Sequence, residues 1–363
     1  MDRRERAHLA YLHSMPEVGQ QSLRLIKDKM GAFEPVFKAS SRALYSLGLP
    51  NRTVLSILEH RHGNISAYFD ELERKEIKIC TIEEADYPAM LAEIFDPPYL
   101  FYYDGNIDLA SRFCLAMVGS RAASYYGKKQ AHTLAGQLAD QGVVVVSGMA
   151  RGIDTQAHRG ALDAAGDTIA VLGSGLDIIY PAENNELYHT LRKKGLVISD
   201  FAPGTPPLAG NFPARNRIIS GLSYGVLVVE ARRKSGALIT VDFALEQGRE
   251  VFSIPGQLDS KNSEGTNQLL KDGAIFVTEY RDILQEYPQY FTAVKPSFAE
   301  QPSLFELDNN EVDVLKCMSH EPIHLDELVA KSTVSMGILS ELLMRMELKG
   351  IIRCLPGNYY VKV

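Results

Sequence analysis

The chain has 363 residues, 45% of them apolar and 23% charged, with a formal net charge of −7. That is the composition of a globular protein of two or three domains, and no apolar stretch approaches the roughly 18 residues that span a bilayer. The charged start Met1-Asp2-Arg3-Arg4-Glu5-Arg6 leads into no apolar run, so no signal peptide is expected. Four scattered cysteines, without a CxxC pair, argue against a disulfide framework or a zinc site and fit a reducing cytoplasm. The negative sum hides an uneven distribution. Residues 1–70 carry +3, residues 71–306 carry −8 and residues 307–363 carry −2, yet residues 119–234, where the glycine motifs lie, carry +4.

Residues 1–70 read as a helical domain. Apolar-periodic segments flank Met15-Pro16-Glu17-Val18-Gly19, the pattern of a helix-hairpin-helix turn. Such a turn can aim backbone N–H groups at a phosphate, although Glu17 places a negative charge there and a purely packed bundle explains the segment as well. Residues 71–114 contain the turn signals Tyr87-Pro88, Asp96-Pro97-Pro98 and Asp104-Gly105, and two short strands around Ile77–Ile79 and Tyr99–Tyr103 that should extend the edge of the next sheet.

From 115 to 288, apolar runs alternate with helical patterns. Strands are expected at Leu115–Val118, Val143–Val146, Thr168–Leu172, Leu196–Ile198, Gly225–Val229, Val251–Ile254 and Ala274–Val277. Near-continuous apolar strands separated by helices indicate a mostly parallel sheet covered on both faces, a Rossmann-like, doubly wound α/β fold. The extended Rossmann-like domain is thus placed at 71–288 and a linker at 289–306. Residues 307–363 form a winged helix, with a short helix at Leu325–Ala330, a longer one carrying Leu339, Leu342, Leu343 and Met346, and a β-hairpin turning at Pro356-Gly357-Asn358.

The candidate site is a ring of strand-to-helix turns. Gly119-Ser120-Arg121 follows the first parallel strand, where an exposed helix start and Gly119 would admit an anion, and Lys128 and Lys129 add charge. Ser147-Gly148-Met149-Ala150-Arg151-Gly152-Ile153-Asp154 forms a second tight loop. Asp154 should cap a helix or orient this loop. His158 lies four residues on, and a structural hydrogen bond is preferred there over a catalytic Asp/His pair. Gly173-Ser174-Gly175 closes the third strand, with Ile178 where a dinucleotide fingerprint needs its third glycine. Tyr180 is placed either to stack on a base or to pack inside. Arg215-Asn216-Arg217 open a helix. Two residues apart, the two arginines face different ways, so one is assigned to phosphate and the other to a structural carboxylate. Arg232-Arg233-Lys234 then precede Ser235-Gly236 at another strand end.

In this order the motifs GSR, SGMARGID, GSGLDIIYP, FPARNRIISGLS, VVEARRKSGALIT, GREVFSIPG and EGTNQLLKDGA closely resemble the DprA/Smf (DNA-processing protein A) family over about residues 77–280. The resemblance implies a non-enzymatic Rossmann-like protein without cofactor or metal. It would bind single-stranded DNA, form a homodimer, and load the RecA recombinase onto incoming DNA during natural transformation, with Arg121 in contact with DNA. Family members carry basic residues near the YP loop, whereas Ala182, Glu183 and Asn184 stand there in this chain. An alternative is a nucleotide-binding or nucleotide-cleaving protein of the lysine-decarboxylase-like group. Those proteins carry a PGGxGTxxE motif, and Pro255-Gly256-Gln257-Leu258 departs from it. A nicotinamide dehydrogenase is disfavoured by the missing fingerprint.

Overall fold

In a computed structural model the described residues are 1–291, 308–318, 321–332, 334–349 and 351–362, so most of the expected linker lies outside them. The chain divides into two compact units, Met1–Val294 and Lys295–Val363. The first begins with five helices, α1 (Arg3–Ser14), α2 (Gln20–Met30), α3 (Ser41–Ser46), α4 (Asn51–His60) and α5 (Ile65–Arg74). Local chemistry sets their starts: the side chains of Asp2, Ser40 and Asn64 accept from Glu5 N, Ala43 N and Ala67 N.

Strands β1 (Lys78–Thr81) and β2 (Leu100–Gly105) follow, with the short helix α6 (Ala89–Ala92) between them. The alternating part then runs β3 (Cys114–Val118), α7 (Tyr125–Asp140), β4 (Val144–Ser147), α8 (Ile153–Asp163), β5 (Thr168–Val171), α9 (Asn185–Lys194) and β6 (Leu196–Ser199). It continues through α10 (Asn211–Gly221), β7 (Gly225–Val228), α11 (Gly236–Glu246), β8 (Glu250–Ser253), α12 (Glu264–Lys271), β9 (Ile275–Phe276) and α13 (Tyr280–Leu284).

The nine strands form one sheet ordered β1-β2-β6-β5-β4-β3-β7-β8-β9. β1–β2 and β2–β6 pair antiparallel and every other pair is parallel, so the two early strands extend one edge, as their turn-bounded sequences indicated. All residues of β3, β4, β5, β6 and β7 are buried, which explains their unbroken apolar runs. On one face Leu115, Met117 and Val145 pack with α7, α8 and α13. On the other, Ala116, Val146, Val171 and Ile198 pack against α10.

The N-terminal helices do not stand apart from the sheet. Leu12, Leu23 and Ile26 share one core with Tyr99, Leu100, Tyr102 and Val197. The first hairpin turn is fixed from both sides. The Gln20 amide donates to the carbonyls of Leu100 (3.0 Å) and Asp200 (3.1 Å), and Thr53 donates to Glu17 O (2.7 Å). Met15 and Val18 are buried.

Two histidines in this unit are buried and neutral. His13 contacts the Tyr102 hydroxyl (3.1 Å), and burial pushes its pKa down to about 4. His158 contacts Thr168 Oγ1 (2.7 Å), and burial, with help from the Arg215 charge, lowers its pKa to about 3. The unfolded chain therefore binds protons that the folded one refuses below about pH 6.5. Stability is expected to be intact at pH 7 and to fall as pH drops towards 4, by about 1.4 kcal/mol per pH unit for each histidine at most. Denaturant titrations at pH 7, 6 and 5 check this, and His158→Gln should flatten the slope. An unchanged slope in that variant would contradict it.

The second unit contains α14 (Asn309–Lys316), β10 (Ile323–His324), α15 (Leu325–Lys331), α16 (Met336–Leu348), β11 (Ile352–Leu355) and β12 (Tyr359–Lys362). Leu339, Leu342, Leu343 and Met346 form the buried stripe of α16, and the strands pair as β10-β12-β11. The hairpin turns through Gly357 and Asn358, both at positive φ, which suits glycine and asparagine. This is the winged helix read from the sequence.

Candidate nucleic-acid cleft

The strand order reverses at β3. β4 lies on one side of it and β7 on the other, so the carboxyl ends of β3 and β7 flank the switch point where open α/β sheets bind ligands. A cleft of about 630 Å³ occupies this place. Its walls come from the turns after β3 and β4, the β5 and β6 loops, the start of α10 and the start of α11. Four cations (Arg121, Arg215, Arg232 and Lys234) and a single carboxylate, Asp154, line it, together with the rings of Tyr180 and Phe212.

Helix α7 does not offer its N-terminus to a ligand. The carboxylate of Glu230, buried at the end of β7, accepts from Ser124 N (2.9 Å) and from the Ser124 hydroxyl, so an internal anion already fills that position. The Glu230 carbonyl accepts from Ser120 N (2.8 Å) and so fixes the GSR turn. Attraction for an anion at this turn thus rests on the exposed Arg121 side chain. Its guanidinium lies 5.0 Å from the centre of the Phe212 ring.

The turn after β4 is tightly determined. Gly152 has φ +79°, and a Cβ there would come within 2.2 Å of Ser120 O. Asp154 accepts from Ala150 N (3.3 Å), and burial pushes its carboxyl up against the opposing pull of the Arg215 guanidinium. Asp154 thus orients the loop, and His158 bonds Thr168 rather than Asp154. Arg215 donates to the carbonyls of Gly148 (2.9 Å) and Val171, and burial lowers its pKa to about 10. It remains a cation at these values, held under the cleft floor.

Several expected contacts turn out to be internal. Arg217 is buried and donates to Asp200 Oδ2 (2.8 Å) and Asp96 O (3.1 Å), which makes it the arginine with a structural carboxylate. The hydroxyls of Ser147 and Ser174 are buried and donate to Met117 O (2.7 Å) and Ile178 O (3.0 Å). Gly148, Gly173 and Gly175 are accounted for by packing: a Cβ would meet Arg215, the Phe212 ring and the backbone of residues 202–204 respectively. Ser235 caps α11 through Ala237 N (3.3 Å), and Asn216 accepts from Arg215 Nε (3.2 Å) while facing the cleft. Gly236 leaves open space where its Cβ would be. Lys128 and Arg151 are exposed but outside the cleft lining, and Arg151 pairs with Glu183 (2.6 Å). Tyr180 is 38% exposed, so it is available to a ligand and only half-packed, against Phe212.

Asn262 escaped the sequence reading. It accepts from Arg232 (3.0 Å) and donates to Ala122 O (3.2 Å), tying a basic side chain to the GSR turn across 140 residues. Nothing local marks it. Among the described residues no group of three or more His, Cys, Asp or Glu side chains is arranged to hold a metal ion.

Fold and cleft together define a Rossmann-like protein with an anion-attracting crevice at its switch point, joined to a helical segment and a winged helix. The family model described as DNA recombination-mediator protein A matches residues 78–288, and that of the DprA winged helix domain matches 298–358. Protein Smf of Escherichia coli is 38% identical over 322 residues, covering 87% of this chain and 86% of its own. DNA processing protein DprA of Streptococcus pneumoniae is 47% identical over 201 residues, covering 55% and 71%. The solved structure of the Streptococcus pneumoniae protein superposes with a TM-score of 0.68 at 36% identity, over 79% of this chain and 98% of that one. DNA processing protein A of Helicobacter pylori, whose structure is described for its single-stranded DNA binding mode, gives 0.53 at 31% identity, over 58% and 96%. The chain belongs to the DprA/Smf family.

Proposed function

We propose that this chain is a DNA-processing protein of natural transformation that binds single-stranded DNA in the cleft at the β3/β7 switch point. The observation that carries this reading is the set of four cations against one carboxylate, beside two aromatic rings, in a crevice at the strand ends. Phosphates would meet Arg121, Arg232 and Lys234, and an unstacked base would meet Tyr180, a contact open to any base. The related Helicobacter pylori protein, known for its single-stranded DNA binding mode, supports the same ligand. The family resemblance also supports loading of RecA, a homodimeric state, a cytoplasmic location and action by binding rather than by catalysis.

The test is a fluorescence titration of labelled single strand and duplex across a salt series. Single strand is expected to bind more tightly. With three exposed cations on phosphates, log K should fall against log salt with a slope of about −2. A flat response or tighter duplex binding would overturn the reading.

The winged helix is not the main DNA element. Lys316, Lys331, Arg345 and Lys349 are each paired with a carboxylate of the same unit, leaving little charge for phosphates. A fragment Met1–Val294 should keep single-strand affinity within about threefold of the full chain, under 1 kcal/mol. A loss above about tenfold from a folded fragment would make the winged helix a principal contact.

A further inference from the structure

Residues 1–70 hold ten arginines and lysines, and seven of them are occupied within the protein. Arg3, Arg4, Arg6, Lys27 and Lys38 pair with carboxylates. Arg24 donates to Pro97 O and Arg61 to Ala39 O. Lys29, Arg42 and Arg52 are the remaining three. They are exposed, with no hydrogen-bond or ion-pair partner among the described residues.

All three lie on or beside the hairpin from α3 to α4. Its turn passes through Gly48 at φ +79°, and the Lys29 ammonium, at the end of α2, lies 3.9 Å from where a Gly48 Cβ would be. Arg42 is in the first turn of α3 and Arg52 in the first turn of α4. Three residues on from each, so on the same helix face, come Tyr45 (45% exposed) and Leu55 (57% exposed). The first hairpin is different: its turn is locked against the sheet and carries Glu17.

Three unpaired cations on or beside one helical hairpin, with an exposed aromatic ring on the face of one of them, suit an extended polyanion with bases. We propose that the α3–α4 hairpin is a second nucleic-acid contact, holding backbone phosphates of the strand beyond the stretch taken by the cleft. This rests on the cleft reading for the identity of the ligand. The helical region shares its core with β1, β2, β5 and β6, while the cleft opens at the ends of β3 and β7. No residue of α3 or α4 lines the cleft, so a strand that meets both must run beyond the stretch the cleft takes.

The experiment compares the full chain with its triple variant Lys29→Glu, Arg42→Glu, Arg52→Glu on labelled oligonucleotides of about 6 and about 30 nucleotides, across a salt series. The variant should lose at least about tenfold in affinity for the long strand, and its log–log salt slope should shrink by about two. Affinity for the short strand should stay at the wild-type value. The triple alanine variant should move the same way by less, and circular dichroism checks both folds. Wild-type affinity and slope on the long strand in the glutamate variant overturn the proposal, and so does an equal loss on both strands. A wild-type chain that fails on the short strand overturns the cleft reading alone and leaves the long-strand comparison decisive for the hairpin.

Discussion

Arg121→Glu is expected to abolish most single-strand binding while leaving the fold intact. The side chain is exposed, and its one ring contact is with Phe212 at the cleft rim, so its replacement removes little packing. What goes is a cation where the neighbouring helix start cannot substitute, since the Glu230 carboxylate already occupies it. Losing one charge-assisted hydrogen bond costs about 1.5–3 kcal/mol, roughly 10- to 150-fold, which sets the expectation for Arg121→Ala. The glutamate adds a like charge facing phosphate and should exceed about 100-fold at low salt. Thermal melts should coincide with wild type within a degree or two. A folded Arg121→Glu chain that binds like wild type would assign Arg121 to the surface and move the ligand to another part of the cleft.

The parallel sheet was legible because burial on both faces leaves a local trace. Val144–Ser147 and Thr168–Val171 have no solvent side, so no alternation interrupts them. The cleft was legible as a ring of turns, because glycine and serine at strand ends are also local. What the turns hold was not. Gly173 accommodates the ring of Phe212 and Gly148 the guanidinium of Arg215, 39 and 67 residues away respectively. Both arginines of α10 are buried although they face different ways, because that helix is covered on more than its sheet side. The division at residue 70 likewise marks a change in periodicity. The shared core of α1, α2 and β2, with His13 against Tyr102 across 89 residues, leaves no such mark.

Arg217→Ala should unfold before it unbinds. The guanidinium is held by Asp200 Oδ2 at 2.8 Å and Asp96 O at 3.1 Å, with its side chain 11% exposed and that of Asp200 6%. Asp200 Oδ1 has no hydrogen-bond partner, so the carboxylate depends on this one arginine for charge compensation. Truncation strands a buried anion, and removing one partner of such a pair costs about 3–5 kcal/mol. For a unit of this size the melting temperature should fall by on the order of 10 °C. Because Asp200 O also accepts from Gln20, the damage should spread into the first hairpin, visible as faster amide exchange in α2. Arg217→Lys keeps the charge but not the forked geometry, and should recover part of the loss. Measured well below its melting temperature, Arg217→Ala should keep single-strand affinity within about threefold, under 1 kcal/mol. If it melts like wild type and yet loses binding, Arg217 touches the strand after all and the ion pair with Asp200 is expendable.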